Sequence, residues 1–149
     1  MTETSLRARA LRYLARREYA RAELAKKLAP HAESGEEIDA VLDDLVARHL
    51  LSDARYAEAR VRVRGARLGN ARLRQELLAA GVGGETAGNA LAGMEDELGR
   101  AWEVWRRRYG DDGAADDDAG RSRQMNFLMR RGFSGETIRR LLRGEREDG

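Results

Sequence analysis

Apolar residues recur every three or four positions along most of this 149-residue chain, and short polar or glycine-containing turns interrupt them. The spacing predicts helices over residues 6–18, 21–28, 36–49, 53–68, 70–80, 85–92, 95–109, 121–131 and 135–143. The inward stripes are Leu6, Ala10, Tyr13 and Leu14 in the first helix, Leu24 and Leu28 in the second, and Ile38, Leu42, Leu45 and Val46 in the third. Tyr56, Ala59, Val63 and Ala66 form the stripe of the fourth. Leu98, Ala101, Trp102, Trp105 and Tyr109 give the seventh the strongest amphipathic pattern. Boundary signals agree with the periodicity. Ser34 followed by Glu37 reads as a capping box. Ser52, Asn70 and Ser134 stand where a side-chain oxygen can cap a helix. Pro30, Gly69, Gly81, Gly93 and Gly132 mark stops.

The pattern repeats. Leu78, Gly81-Val82, Gly84-Glu85-Thr86 and Leu91 recur as Met129, Gly132-Phe133, Gly135-Glu136-Thr137 and Leu142 with identical spacing. Upstream, Leu24 and Leu28 echo Leu73 and Leu77. An offset of about fifty residues lies at the long end of repeat periods. The chain therefore reads as all-α, built from three tandem three-helix repeats over 1–51, 52–93 and 94–143, with a disordered tail at 144–149. In each repeat the turn-linked second and third helices resemble a helix-turn-helix in outline. Units this small bury little surface alone and have to lean on one another.

Composition narrows the classes. Ala, Leu, Arg and Glu dominate, and there is a single proline. With no cysteine, a disulfide framework, a thiol nucleophile and a cysteine metal site are all excluded. No apolar run is long enough to span a bilayer, and Met1–Ser5 lacks the pattern of a signal peptide, so a cytoplasmic protein is expected. Net charge is only +2, yet it alternates in blocks. Residues 60–80 carry +5 and residues 121–143 carry +6, whereas residues 31–59 carry −6 and residues 110–120 carry −5. Basic helices separated by acidic segments can present local faces to a polyanion without a large overall charge. Pairing of opposite blocks within the chain gives the same pattern.

No catalytic constellation emerges, so no enzyme activity, metal or cofactor is expected. His31 and His49 stand apart from any H-E-x-x-H-like spacing. The aspartates between 111 and 118 lack the alternate ligands and terminal glutamate of a calcium loop and read as a solvated segment. Trp102, Trp105 and Tyr109 share a face with Leu98 and read as core. The arginines are the functional candidates: Arg60, Arg64, Arg67, Arg72, Arg74, Arg121, Arg123, Arg130 and Arg131. Arg72, Arg121 and Arg123 fall at expected helix starts, where the dipole disfavours a cation. Function or an acidic neighbour would explain them. Guanidinium forks suit oxyanions, whether phosphate or carboxylate.

Four stretches in order resemble the RecX family of RecA regulators. They are Ala10-Leu11-Arg12-Tyr13-Leu14-Ala15-Arg16-Arg17-Glu18 with Ala22-Glu23-Leu24 and Lys27-Leu28; Leu50-Leu51-Ser52-Asp53-Ala54-Arg55-Tyr56-Ala57; Arg72-Leu73-Arg74-Gln75-Glu76-Leu77; and Phe127-Leu128 with Arg130-Arg131-Gly132-Phe133 and Ile138. The resemblance implies a curved, elongated monomer of three three-helix repeats. It implies binding to the RecA filament on DNA, with restrained ATP hydrolysis, strand exchange and coprotease activity through blocked extension or a destabilised filament. Weaker affinity for single- and double-stranded DNA is expected too, and no membrane partner. The family often has serine where Ala20 stands, which leaves the second helix without its usual cap. The competing reading is a helical-repeat DNA-binding protein that needs no protein partner.

Overall fold

The computed structural model describes residues 5–146, so the sequence readings for residues 1–4 and 147–149 lie outside the described residues. Among the described residues are nine α-helices, one 3-10 turn (Ala29–His31) and no strand. The helices are α1 (Leu6–Arg16), α2 (Arg21–Leu28), α3 (Gly35–Ala47), α4 (Asp53–Arg64), α5 (Asn70–Ala79), α6 (Gly84–Ala92), α7 (Glu97–Tyr109), α8 (Asp118–Arg130) and α9 (Gly135–Leu142). They group by threes around three separate cores. Leu6, Leu24, Leu28, Leu42 and Leu45 anchor the first. Tyr56, Val61, Leu73, Leu77 and Val82 anchor the second. Leu98, Trp105, Leu128, Phe133 and Ile138 anchor the third.

Several caps form as the sequence implies. The Ser34, Ser52 and Ser134 hydroxyls accept from the amides of Glu37, Arg55 and Thr137 at 3.2, 3.2 and 3.1 Å. Gly81 and Gly132 occupy equivalent turns with φ of 90° and 91°. Each also presses against the preceding unit. A Cβ on Gly81 would collide with Ala22, and one on Gly132 would collide with Arg72, including its backbone. Glycine is needed there both for the left-handed backbone and for the close approach between units.

Other expectations are corrected. Asn70 does not cap α5: Gly69 is the N-cap, and Asn70 is the first helical residue. Its amide side chain is taken by Arg100, whose Nη1 donates to Asn70 Oδ1 at 2.8 Å. Helix α4 stops at Arg64 with Gly65 as its C-cap, short of the expected Gly69. Within α4 the buried face runs through Tyr56, Ala57 and Val61, so Val61 and Ala57 take the core positions assigned to Val63 and Ala59, and Val63 is 72% exposed. Helix α8 begins at Asp118, three residues early, because Asp117 Oδ1 accepts from Gly120 N at 2.8 Å. Part of the acidic segment is thus a helix cap, and Arg121 lies a full turn inside the helix. The trio on α7 is core as expected: Trp105 is buried, with Trp102 stacked on it at 4.8 Å and Tyr109 tilted at 5.7 Å.

The joints between units rest on polar contacts of one design. Ala20 has no side-chain oxygen, so α2 borrows a cap: Arg21 N donates to Asp53 Oδ1 at 2.8 Å. At the next joint Asn70 N donates to Glu97 Oε2 at 2.7 Å. Asp53 and Glu97 are the first residues of α4 and α7. The opening acid of each following unit therefore satisfies the first amide of the preceding unit's second helix, which would otherwise be an orphan donor. The second joint has more. Gly69 N donates to Arg131 O at 2.7 Å and Ala71 N to Gly132 O at 3.2 Å. The buried Arg100 donates to Gly65 O at 3.1 Å and to Leu68 O at 2.8 Å, just past the C-terminus of α4. A cation there is favoured by the helix dipole. Burial lowers the Arg100 pKa, and Glu97, Glu95 and Asp96 oppose that shift.

Replacing Arg100 by Met should leave two buried carbonyls without a donor and lower the unfolding free energy by about 3 kcal/mol. Urea titration followed by circular dichroism measures this. Arg100→Lys should recover only part of it, because an ammonium cannot span the acceptors that the guanidinium fork reaches.

Candidate binding interface

The nine arginines do not form one face. Their surroundings sort them by what already neutralises them. Arg64 donates to both carboxylate oxygens of Glu76, each at 3.1 Å, and Arg60 reaches Glu76 Oε1 at 3.4 Å. These two lie one turn apart on α4, and Glu76 on α5 compensates them in part. Burial pushes the Glu76 pKa up, but the Arg64 hydrogen bonds, with the charges of Arg64, Arg60 and Arg72, hold it below the usual glutamate value.

Arg72 and Arg74 are neighbours in sequence but diverge on α5. Arg72 Nη1 donates to Arg130 O at 2.8 Å in the third unit, whereas Arg74 Nη1 reaches Gly84 O at 3.3 Å at the start of α6. The disfavoured position of Arg72 near a helix start is thus offset by a carbonyl across the joint. On α8, Arg123 and Arg130 share a side and line a groove with Arg108, Asn126 and Phe127 that Asp116 and Asp117 bound. Arg121 faces the other way, among Trp102, Asp111 and Arg146. The structure therefore separates Arg121 from Arg123 and Arg130.

Arg67 and Arg131 meet two residues that the sequence did not single out. With Arg107 and Arg108 they line an open groove of about 400 Å³ floored by Val104 and Phe127. Arg107 and Arg108 were hidden in the polar face of a helix whose apolar face drew all the notice. Their one visible signal was the unbroken run Arg106-Arg107-Arg108. Arg107 donates to the carbonyls of Ala66 and Glu103. Arg131 Nη1 donates to Arg67 O at 3.4 Å, and its guanidinium lies 5.1 Å from the Phe127 ring centre. Glu103 pairs with Arg106 at 3.0 Å, on the far side of the run. Among the described residues there is no group of three or more His, Cys, Asp or Glu that could hold a metal, and no helix long and apolar enough to cross a membrane.

Comparison with known proteins decides the family. Models described as the first, second and third three-helix domains of RecX match residues 7–45, 52–91 and 95–142. The chain belongs to the RecX family. It is 52% identical over 142 residues to the regulatory protein RecX of Leptothrix cholodnii, covering 95% of this chain and 89% of that one. It is 44% identical over 147 residues to the regulatory protein RecX of Herminiimonas arsenicoxydans, covering 98% and 96%. The crystal structure of RecX from Lactobacillus salivarius has the same fold, with a TM-score of 0.81 at 22% identity and 93% coverage of both chains. The expectation of an all-α protein of three tandem three-helix units is met, and relatives of this family are named as regulatory proteins.

The Glu76 cluster predicts a pH effect. A carboxyl held lower in the fold than in the unfolded chain stabilises above its ordinary value of 4.5, and that contribution fades as pH falls through the lower folded value. Glu76→Gln should therefore be less stable than the parent at pH 7, and the two should converge below pH 4.5 as the parent loses its advantage. Unfolding midpoints from pH 7 to pH 3 check this.

Proposed function

We propose that this chain is a regulator of the RecA filament on DNA. It binds the filament and restrains ATP hydrolysis, strand exchange and coprotease activity, by blocking extension or by destabilising the polymer. It works as a monomer in the cytoplasm, with weaker affinity for single- and double-stranded DNA. The observation that carries this reading is membership of the RecX family along nearly the whole chain, in all three units. Three similar units in series suit a partner whose subunits also repeat, because weak contacts made in series multiply through effective concentration.

The basic surface is assigned a role in that contact. Arg64, Arg67, Arg72 and Arg74 supply its middle, with Arg60 beside them, and Arg123, Arg130 and Arg131 continue it into the third unit as separate basic patches rather than one face. Arg121 belongs to the same assignment only through a separate side of α8. The alternative is a DNA-binding protein that needs no protein partner, and the arginine groove across the second joint favours it more than any other feature.

One experiment separates the two. The protein is added at substoichiometric amounts to preformed RecA filaments on single-stranded DNA with ATP, and DNA-dependent hydrolysis is followed alongside naked-DNA binding in the same buffer. The filament reading expects inhibition at concentrations that leave bare DNA unoccupied. Inhibition that tracks coverage of bare DNA means competition for DNA instead. Reversing two rim charges in Arg72→Glu/Arg74→Glu should weaken filament binding roughly tenfold with helicity unchanged. Arg74→Glu alone, which leaves the Arg72 bond across the joint in place, should show part of that loss. Unchanged binding by both variants removes the middle unit from the contact.

A further inference from the structure

The groove lined by Arg67, Arg107, Arg108 and Arg131 combines a dense set of cations with an aromatic ring. It gathers four guanidiniums, and no carboxylate lines it. Several arginines elsewhere are answered by acids: Arg60 and Arg64 by Glu76, Arg7 and Arg48 by Asp44, and Arg21 by Asp43. Here the anchors are backbone carbonyls of Ala66, Arg67 and Glu103, which orient a guanidinium without cancelling its charge. Like charges held together in this way repel, and an anion relieves the repulsion. Among the described residues the guanidiniums of Arg67 and Arg108 make no hydrogen bond or ion pair, so their donors remain available.

We propose that this groove at the second joint binds the sugar-phosphate backbone of a single nucleic-acid strand. Arginine forks present paired N–H donors to phosphate oxygens. The floor adds a second recognition element. The Phe127 ring centre lies 5.7 Å from the Arg108 guanidinium and 5.1 Å from that of Arg131, and a flat base stacks on such aromatic and guanidinium surfaces. A purely acidic peptide would use the forks but has no flat ring to lay on that floor, whereas every nucleotide carries one. The groove also runs on. Arg108 and Phe127 are shared with the neighbouring groove, where Arg123 and Arg130 extend the basic lining until Asp116 and Asp117 close it. Two adjoining grooves that share Arg108 and Phe127 fit a linear polyanion, and their lining runs from the α4–α5 linker to α7 and α8. The inference deepens the filament reading by placing a direct nucleic-acid contact within the complex, but it requires no RecA and is tested without it.

The test uses the full chain and a fluorescent oligo-dT of about 20 nucleotides, with anisotropy read over a range of salt. Arg67→Ala/Arg108→Ala removes two cations that hold no joint contact, and circular dichroism with urea titration verifies the fold. The expected result is an affinity loss of roughly tenfold or more, with the slope of log K against log salt shallower by about 1.4, since each phosphate contact to a single strand contributes about 0.7. Arg67→Lys/Arg108→Lys should restore the slope and only part of the affinity. Unchanged affinity and slope in the alanine variant overturn the proposal. So does displacement of the oligonucleotide by polyglutamate at equal concentration of charge, which would make the groove a site for acidic protein segments. Inhibition of RecA hydrolysis, measured on the same variant, speaks only to the filament reading. A protein that loses oligonucleotide binding yet still inhibits keeps both statements intact.

Discussion

The joint between the second and third units depends on charged side chains that are turned inward. A three-helix unit of forty to fifty residues buries too little apolar surface to be independently secure. The usual remedy in repeat proteins is an apolar seam between neighbours. This chain keeps three cores, with Ala20 of the first unit packed into the second, and adds hydrogen bonds to charged groups at both joints. Arg100 bridges the end of α4, the linker after it and the first residue of α5, while Glu97 accepts from Asn70 on one side and from Thr137 Oγ1 at 2.7 Å on the other. These two residues, three apart on α7, define how the third unit sits against the second. Polar joints are directional, so they set an angle that a greasy seam would leave loose.

That choice explains why the sequence was readable in some places and opaque in others. The repeat itself was legible because Gly81 and Gly132 must be glycine twice over, for the sign of φ and for the approach of the preceding unit. Serine caps were legible because they act within three residues. The joints were not, because their partners lie far apart in sequence: Arg21 with Asp53, Asn70 with Glu97, Arg100 with Gly65. Asn70 shows the failure in one residue. Its chemistry and position satisfy every local criterion for a cap, yet Arg100, thirty residues away, claims its oxygen, and Gly69 serves as the N-cap. Val63 shows another. It lies inside α4, seven residues after Tyr56, but the buried face runs through Tyr56, Ala57 and Val61 and leaves Val63 in solvent.

The arginines divide along the same line. Sequence spacing groups Arg72 with Arg74 and Arg121 with Arg123, but residues two apart on a helix point to different sides. Tertiary structure then sorts the set by the acids and carbonyls each meets. Those nearest Glu76 are partly spent on holding α4 to α5. Those at the second joint are oriented by carbonyls and keep their charge. Counting arginines along the chain could not distinguish these fates, and it passed over Arg107 and Arg108, which are exposed like most of the others.

A rigid second joint and an uncompensated basic groove belong together for a physical reason. Clustered guanidiniums would splay apart if the elements carrying them were free to move. Here the α4–α5 linker, α7 and the end of α8 are tied by Arg100, by Glu97 and by the backbone bonds from Gly69 and Ala71. The elements that carry the charges are therefore positioned during folding, and the forks of Arg107 and Arg131 are oriented by carbonyls before a polyanion arrives. The same contacts that complete the fold of the third unit preorganise the surface across which it meets the second.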